Sequence, residues 1–365
     1  MSIVQRAPDY IRAISPYVPG KPISELAREM GLVESEIIKL ASNENPLGAS
    51  PKATAAATAA LADIHRYPDG NAFALKSAIA AKFGVGIDQV VPGNGSNDVL
   101  DLCARAFLNH ASSAVYSQYA FAVYPLAVQT AGARGIEVPA RDFGHDLEAM
   151  AAAVGEDTRL IFIANPNNPT GNFLSGAEVE RLLQRVPRDV VVVLDEAYNE
   201  YMEPSQRYDS VAWLRQYPNL VISRTFSKIY GLGGLRVGYG LAGAELADVL
   251  NRVREPFNVN HIALAAATAA LGDDEFVAKS YAVNRAGKRQ IEDGLKVLGL
   301  RFIPSAGNFI AFEVADGAAA NLALLKQGVI VRPLASYKMP TWLRVTIGLP
   351  EENERFLAAL AKAIA

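Results

Sequence analysis

A single lysine lies among hydroxyls and glycines in the segment Ser223-Arg-Thr-Phe-Ser-Lys-Ile-Tyr-Gly-Leu-Gly-Gly-Leu-Arg-Val-Gly-Tyr-Gly240. The apolar run Asn219-Leu-Val-Ile222 comes directly before it, and Arg236 follows Lys228 eight residues later. A lysine amine can bind a carbonyl cofactor covalently, while hydroxyls and a guanidinium can hold its phosphate. The segment alone is also compatible with a surface lysine in a flexible Gly-rich loop, which is the less favoured interpretation. The rest of the chain favours the cofactor site.

The neighbouring segments predict the kind of sheet that carries this lysine. Three apolar runs rich in Val and Ile stand out, at residues 160–164, 190–194 and 220–222. Continuous hydrophobicity without alternation is typical of strands buried on both faces of a parallel sheet. Helical patterns lie between the runs, and one of them begins with Ser175 and Glu178 at the spacing of a capping box. The pattern predicts an α/β domain with a mostly parallel central sheet covered by helices.

A polar cluster follows each of the three runs, at residues 165–171, 195–198 and 223–228. In open α/β sheets, ligands bind outside the carboxyl ends of the strands. We therefore expect the three clusters to form one site.

The chain is long enough for more than one core. Its 365 residues exceed the size at which a single core usually keeps growing. Shorter strand patterns after residue 300 predict a smaller α+β domain. We divide the chain into residues 1–45, an N-terminal arm with part of the small domain, residues 46–262, the large cofactor-binding domain, and residues 263–365, the small C-terminal domain.

Composition argues against several other classes of protein. The net charge of -3 offers no basic surface for nucleic acid or for a membrane. The first ten residues lack the pattern of a signal peptide. Cys103 is the only cysteine, which excludes an internal disulfide and fits a reducing compartment, so we expect a cytoplasmic protein. The histidines are not at metal-ligand spacing, and no metal site is predicted.

Single residues in the polar clusters suggest how a ring could be held. Asp195 ends a run of valines, and a buried carboxylate beside an aromatic nitrogen would keep that nitrogen protonated. Tyr198 and Asn168 could contact a ring hydroxyl. Upstream, Pro92-Gly-Asn-Gly-Ser-Asn-Asp98 precedes a helix, where backbone N–H groups can approach a phosphate. Each of these features alone also has an ordinary structural explanation, as a strand end, a turn or a helix cap.

Six motifs occur together in a recognisable order. They are Leu40-Ala-Ser-Asn-Glu-Asn-Pro-Leu-Gly48, Arg66-Tyr-Pro-Asp69, Asn165-Pro-Asn-Asn-Pro-Thr-Gly171, Asp195-Glu-Ala-Tyr198, Thr225-Phe-Ser-Lys228 and Leu343-Arg-Val-Thr-Ile-Gly348. The combination resembles the pyridoxal-phosphate-dependent aminotransferases of fold type I, and within them the histidinol-phosphate aminotransferase family. The resemblance extends from about Leu40 to the C-terminal helix.

The resemblance implies pyridoxal 5′-phosphate as cofactor and a role for each motif residue. Lys228 would hold the cofactor covalently and move the proton, Asp195 would pair with the ring nitrogen, and Tyr198 with Asn168 would contact the ring hydroxyl. The phosphate would be held by Gly95, Ser96, Asn97, Thr225, Ser227 and Arg236. Phe121 would stack on the ring, with Tyr119 as the alternative. One departure is Asn97, which stands where many relatives carry the first residue of an acidic pair.

Other residues are implied at the substrate and at a subunit interface. Tyr67 would reach the phosphate of the neighbouring subunit's cofactor, which implies a homodimer with shared sites. Arg344 and Arg332 would take the substrate's anionic group, which a guanidinium cannot identify as carboxylate or phosphate. Tyr17, Asn45 and Phe257 would complete the substrate site, with ordinary packing as the alternative for the aromatic residues.

The resemblance favours transamination, with glutamate as amino donor and 2-oxoglutarate as its product. For the other substrate it favours histidinol phosphate, within histidine biosynthesis. The alternative is an aromatic amino acid such as phenylalanine or tyrosine. A decarboxylase of a phosphorylated amino acid would use the same Lys228 and Asp195. A cofactor-binding sensor domain is disfavoured because the chain has no basic segment or helix-turn-helix extension.

Overall fold

The structure, a computed structural model, describes residues 2–17 and 19–365. The strands are β1 (Ile38–Lys39), β2 (Val90–Gly93), β3 (Ser113–Ser117), β4 (Arg134–Val138), β5 (Thr158–Ala164), β6 (Val191–Asp195), β7 (Leu220–Thr225), β8 (Gly238–Ala242), β9 (Phe309–Glu313), β10 (Val329–Ile330), β11 (Arg332–Pro333) and β12 (Trp342–Thr346). The α-helices are α1 (Asp9–Arg12), α2 (Ile23–Met30), α3 (Pro51–Ala60), α4 (Phe73–Phe83), α5 (Ser96–Phe107), α6 (Val123–Thr130), α7 (Leu147–Ala152), α8 (Gly176–Arg185), α9 (Ala244–Val253), α10 (His261–Leu271), α11 (Asp274–Val297), α12 (Gly317–Lys326) and α13 (Pro350–Ile364).

The central sheet has the strand order β2-β8-β7-β6-β5-β3-β4. Strands β3 to β7 are parallel to their neighbours among themselves, and β8 is antiparallel to both β2 and β7. In β5, Ile161 and Ile163 belong to one apolar cluster, whereas Leu160 and Phe162 belong to the cluster on the other face. Burial on both faces explains the unbroken apolar runs. The predicted α/β fold class, with a mostly parallel sheet, is confirmed.

The capping-box pattern in the sequence correctly predicts where helix α8, which covers the sheet, begins. The Ser175 hydroxyl accepts a hydrogen bond from the Glu178 N–H at 3.3 Å, and the Glu178 carboxylate accepts from the Ser175 N–H at 2.8 Å. This reciprocal capping satisfies backbone donors that the first turn of a helix cannot use.

The C-terminal part builds a separate antiparallel sheet in the order β11-β12-β9. Its own apolar cluster includes Phe312, Leu324 and Phe356. Strand β1, from the N-terminal part, pairs with β10 in parallel, so residues 38–39 join the C-terminal part. The smaller unit therefore has the predicted α+β character.

The proposed domain boundary at residue 263 needs one correction. Helix α10 packs on α3 and α4, and its residues Ala263, Leu264, Ala267 and Leu271 belong to the apolar cluster of the central sheet. Alanines at the contact positions let the helices approach closely, so this helix lies in the core of the large unit. On this packing, we place the boundary after Leu271.

In the described ranges 2–17 and 19–365, no helix has the length and apolar character needed to span a membrane.

Candidate active site

The carboxyl ends of β5, β6 and β7 meet at one cavity of about 190 Å³. The three strands are adjacent and parallel, with Ala164 opposite Asp195 and Asp195 opposite Ser223. Residues just beyond these ends, including Asn168, Tyr198 and Lys228, line the cavity. The three polar clusters of the sequence therefore form one site, as expected.

Asp195 lies buried at the floor of the cavity. Its Oδ2 accepts a hydrogen bond from the Tyr124 hydroxyl at 2.9 Å, and its Oδ1 accepts one from the Ala197 N–H at 3.2 Å. The Tyr124 ring stacks on Phe162, with centroids 4.9 Å apart. Burial raises the pKa of Asp195 to about 6, and the bond from Tyr124 opposes that rise. Asp195 is therefore held in one orientation by groups that favour its ionised form.

Lys228 enters the cavity from the loop after β7. Its Nζ donates to the Ser42 carbonyl at 3.1 Å and lies 5.7 Å from the centroid of the Tyr198 ring. Burial, followed by the nearby charge of Arg344, lowers the pKa of Lys228 to about 8. Within the described part of the chain it forms no ion pair. Such an amine loses its proton more readily than an exposed lysine.

Tyr198 is held beside the lysine. Its hydroxyl accepts a hydrogen bond from Asn43 Nδ2 at 2.8 Å, and its ring packs edge-on against Phe309. Burial raises the pKa of Tyr198 to about 12, so this phenol remains protonated at neutral pH. We call Asp195, Tyr198, Lys228 and the residues bonded to them the ring end of the cavity.

The opposite side of the cavity collects donors suited to a phosphate. Helix α5 begins at Ser96, after Gly95 with a positive φ of 79°. The positive φ of Gly95 favours glycine at this position, and a Cβ there would also lie 2.6 Å from Arg236 Nη2. Ser96, Asn97, Thr225, Ser227 and Arg236 all line the cavity here. A helix N-terminus, hydroxyls and a guanidinium together form an anion site, which we call the phosphate end.

Two arginines from the C-terminal sheet cover the cavity. Arg332 on β11 lies directly opposite Arg344 on β12, and both are buried. Arg344 donates to Asn168 Oδ1 at 2.5 Å and to the Ala41 carbonyl at 2.7 Å, but its buried Nε has no partner in the described residues. The Arg332 guanidinium lies 5.3 Å from the centroid of the Tyr17 ring.

This arginine pair has no carboxylate partner among residues 2–17 and 19–365. Like charges facing each other across a sheet are destabilising, and burial adds to that cost. Burial lowers the pKa of Arg344, because a buried site disfavours the charged form of the guanidinium. An anionic ligand between the two guanidinium groups would remove it.

The residues present fit pyridoxal 5′-phosphate. A buried carboxylate lies where a ring nitrogen would need one, and an amine and a phenol lie beside it. The phosphate end supplies the first N–H groups of α5, the hydroxyls of Ser96, Thr225 and Ser227, and the Arg236 guanidinium. Phe121 lines the cavity and offers a ring face. The donor set and the space therefore match a phosphorylated aromatic aldehyde.

Residues 35–360 match the profile of the family "Aminotransferase class I and II". The chain belongs to this family. It is an aminotransferase enzyme, as the sequence motifs predicted.

Individual relatives match this aminotransferase along its length. It is 61% identical over 361 residues to histidinol-phosphate aminotransferase 1 of Cupriavidus pinatubonensis, covering 98% of this chain and 96% of that protein. It is 60% identical to histidinol-phosphate aminotransferase 1 of Dechloromonas aromatica, with both chains covered completely. The crystal structure of histidinol-phosphate aminotransferase from Sinorhizobium meliloti in complex with pyridoxal-5′-phosphate superposes with a TM-score of 0.91 at 28% identity, covering 98% of this chain and 97% of that chain.

The structure distinguishes between the two candidate stacking aromatics of this aminotransferase. Phe121 lines the cavity, and its ring lies edge-on to Tyr124. Tyr119 does not line the cavity and instead stacks on Phe143. Phe121 is therefore the residue placed to cover a ring.

Asn45, predicted to bind substrate, does not line the cavity. Its Nδ2 donates to the Ile229 carbonyl at 2.7 Å and to the Ser280 hydroxyl at 2.9 Å, and its Oδ1 accepts from the Leu47 N–H. With its amide used in this way, it holds the segment after Lys228 in place. Its predicted role at the substrate therefore stays a prediction that the contacts within this chain do not support.

Tyr67 and Phe257 lie outside the cavity of their own chain. Their rings stack with centroids 4.9 Å apart, and they are 84% and 46% exposed. We call this pair, with the loop that carries Tyr67, the outer edge. Phe257 does not form a wall of the cavity within one chain, in contrast to its predicted substrate role.

Sequence reasoning missed several residues of the ring end. Tyr124, which bonds to Asp195, follows the stacking residue Phe121 by three positions, a spacing that a helical turn brings together. Asn43 and the Ser42 carbonyl lie within a motif that was recognised, although their contacts were not foreseen. Tyr337 also lines the cavity. The spacing of three residues between Phe121 and Tyr124 was the signal in the sequence that could have placed Tyr124 near the ring end.

Proposed function

We propose that this protein is a histidinol-phosphate:2-oxoglutarate aminotransferase of histidine biosynthesis, with glutamate as the amino donor and 2-oxoglutarate as its product. The assignment of this substrate rests on one observation, which is the sequence identity of about 60% over nearly the whole chain to relatives named histidinol-phosphate aminotransferase. The cofactor is pyridoxal 5′-phosphate, as family membership and the fit of the cavity support.

Bound pyridoxal 5′-phosphate would draw electrons away from the substrate Cα, which weakens its bond to hydrogen. Asp195 would face the ring nitrogen and keep it protonated, and Tyr198 and Asn168 would face the ring hydroxyl. Gly95, Ser96, Asn97, Thr225, Ser227 and Arg236 would hold the phosphate. Phe121 would cover one ring face.

Lys228 would hold the cofactor and, when released by substrate, move the proton at the substrate Cα. A pKa lowered to about 8 leaves a useful fraction of the amine neutral near physiological pH, which a general base requires. The bond from its Nζ to the Ser42 carbonyl keeps the amine on the side of the cavity nearest Tyr198.

The arginine pair would bind the anionic group of each substrate in turn. A planar guanidinium matches both a carboxylate and a phosphate, so one pair of arginines can accept either anion. Tyr17, which packs against Arg332, would close this part of the site.

A homodimer would complete the site at the outer edge. Apolar side chains near Tyr67 are exposed, including Leu61, Ile64 and Phe73 at 51%, 63% and 65%, and such a patch favours burial against a second copy. In that arrangement Tyr67 would reach the phosphate end of the partner, and Phe257 would lie beside the shared site. Cytoplasmic localisation stays a prediction.

The test is a single-turnover measurement on the cofactor-loaded enzyme. The enzyme is mixed separately with histidinol phosphate, phenylalanine and glutamate, and the oxo product per site is measured. We expect stoichiometric product from histidinol phosphate and glutamate. Fast conversion of phenylalanine with none of histidinol phosphate would instead identify an aromatic aminotransferase, and carbon dioxide release would identify a decarboxylase.

A further inference from the structure

A carboxylate in the first turn of α5 holds the loop at the phosphate end. Asp98 Oδ2 accepts hydrogen bonds from the Asn94 N–H at 2.9 Å and from Asn258 Nδ2 at 2.7 Å. The same Asn258 amide donates to the Pro92 carbonyl at 3.0 Å. The turn that leads into the phosphate end is thus bonded to the segment after α9.

Asn258 also connects this turn, through Arg254, to the loop that contains Gly70. Its Oδ1 accepts from Arg254 Nη1 at 2.9 Å, and the same Nη1 donates to the Gly70 carbonyl at 3.1 Å. Because Nδ2 has two acceptors and Oδ1 has a donor, the amide has a single satisfied orientation. Asp98, Asn258 and Arg254 therefore form a continuous relay from α5 to Gly70.

The loop that ends the relay carries Tyr67. Asp69 accepts from the N–H groups of Asn71 and Phe73 at 2.9 and 2.7 Å, which makes this loop locally rigid. A Cβ on Gly70 would lie 3.2 Å from the Phe257 ring, and Phe257 in turn stacks on Tyr67. The exposed tyrosine is consequently tied to the relay through both the backbone of its loop and its ring.

We propose that Asp98, Asn258 and Arg254 are positioning residues that hold Tyr67 in a fixed place relative to the phosphate end. This rests on the proposed function, in which Tyr67 of one copy completes the phosphate end of a second copy. In a two-fold dimer, each copy donates its own Tyr67 and receives the partner's Tyr67 at its own phosphate end. The relay connects these two parts of one chain, so it would set the position of both. A side chain held in place before association loses less entropy when it binds.

The test measures binding of pyridoxal 5′-phosphate, and of pyridoxal, to the cofactor-free full chain. Arg254→Met removes the bonds to the Gly70 carbonyl and to Asn258 Oδ1, and it leaves the donors for the bond between Asn258 and Asp98 in place. We expect the affinity for pyridoxal 5′-phosphate to fall about tenfold and the affinity for pyridoxal, which has no phosphate, to stay unchanged. Arg252→Met is the matched control, because Arg252 lies exposed in the last turn of α9, two residues before Arg254, and pairs with Asp248. Equal losses for both ligands would reveal a general structural effect and overturn the relay.

A double-mutant cycle with Tyr67→Phe tests whether the relay acts through Tyr67. The double variant with Arg254→Met should bind pyridoxal 5′-phosphate no more weakly than Tyr67→Phe alone. Losses that multiply would overturn the relay but leave the shared site standing. An unchanged affinity in Tyr67→Phe alone would overturn the shared site itself. Asn258→Leu, which keeps about the size of the side chain and removes both donors without adding a charge, provides a second route to the same cycle if Arg254→Met folds poorly.

Discussion

The ring end and the outer edge of this aminotransferase differ in how far one chain alone buries their side chains and supplies their bonding partners. Asp195 and Tyr198 are 5% and 4% exposed, whereas Tyr67 and Phe257 are 84% and 46% exposed. Both regions combine aromatic rings with polar groups. At the ring end, however, each polar group already has a bonding partner from the same chain.

The difference follows from what each region must do. Proton transfer requires side chains with shifted pKa values, and burial in the protein's own core produces those shifts. A contact that only supports a phosphate needs position and no shift, and a second copy can supply it. The ring end is therefore sensitive to any change within the chain, and the outer edge is sensitive to association.

The most severe test of the ring end is Lys228→Ala. We expect turnover to fall at least about a thousandfold, because Lys228 is the only lysine among residues 2–17 and 19–365 that lines the cavity. The measurement is steady-state formation of oxo product, with circular dichroism to verify the fold. Lys296→Ala, at an exposed lysine paired with Asp293, should behave as wild type. Normal turnover in Lys228→Ala would end the assignment of this lysine.

Arg344→Ala tests whether one arginine pair serves both substrates. We expect KM to rise for histidinol phosphate and for 2-oxoglutarate together, by about thirtyfold or more, because a buried anion would lose its charged partner. Arg285→Ala, at a partly exposed arginine that pairs with Glu203, is the control. A rise in KM for only one substrate would show that the two anions bind at separate places.

Much of the fold could be predicted because its signals are local. The runs that became β5, β6 and β7 are continuous in the sequence, and the capping box of α8 needs only Ser175 and Glu178. The position of α10 could not be read in this way. Its alanine-rich pattern is compatible with burial in either domain, and only the packing against α3 and α4 decides between them.

The candidate site shows the same limit at the level of single residues. Lys228 and Asp195 lie in motifs with a distinctive order, so their places in the site followed from the sequence. Asn45 lies in such a motif too, yet it bonds to the Ile229 carbonyl and Ser280, far along the chain. Contacts of this kind depend on how distant segments meet, and the same is true of the bond from Tyr124 to Asp195.

Tyr124→Phe tests whether the ring end depends on that bond. The hydroxyl of Tyr124 lowers the pKa of Asp195 against the larger effect of burial, so its loss should raise that pKa. We expect the acidic limb of kcat/KM to move to higher pH, with a loss of about threefold to tenfold near pH 6. Tyr281→Phe is the matched control, since Tyr281 donates to the carboxylate of Glu203 outside the cavity. An unchanged pH profile would show that Asp195 is held without Tyr124.

The smallest expected effect concerns the stability of the cofactor-free protein. The pKa of Lys228 is lowered from 10.5 to about 8, so its buried charge destabilises the fold fully below pH 8. This cost disappears as pH rises towards 10.5, because the amine then becomes neutral in the unfolded chain too. Replacing the lysine by methionine should therefore stabilise the protein most at neutral pH.

We expect Lys228→Met to raise the Tm of the cofactor-free protein by about 2 °C at pH 7, and the gain to shrink between pH 8 and pH 10.5. Differential scanning calorimetry across this range measures it. Lys279→Met, at an exposed lysine, should give no such trend. A gain in Tm that stays constant with pH would mean that the methionine acts by packing alone. The buried charge of Lys228 would then not destabilise the cofactor-free protein.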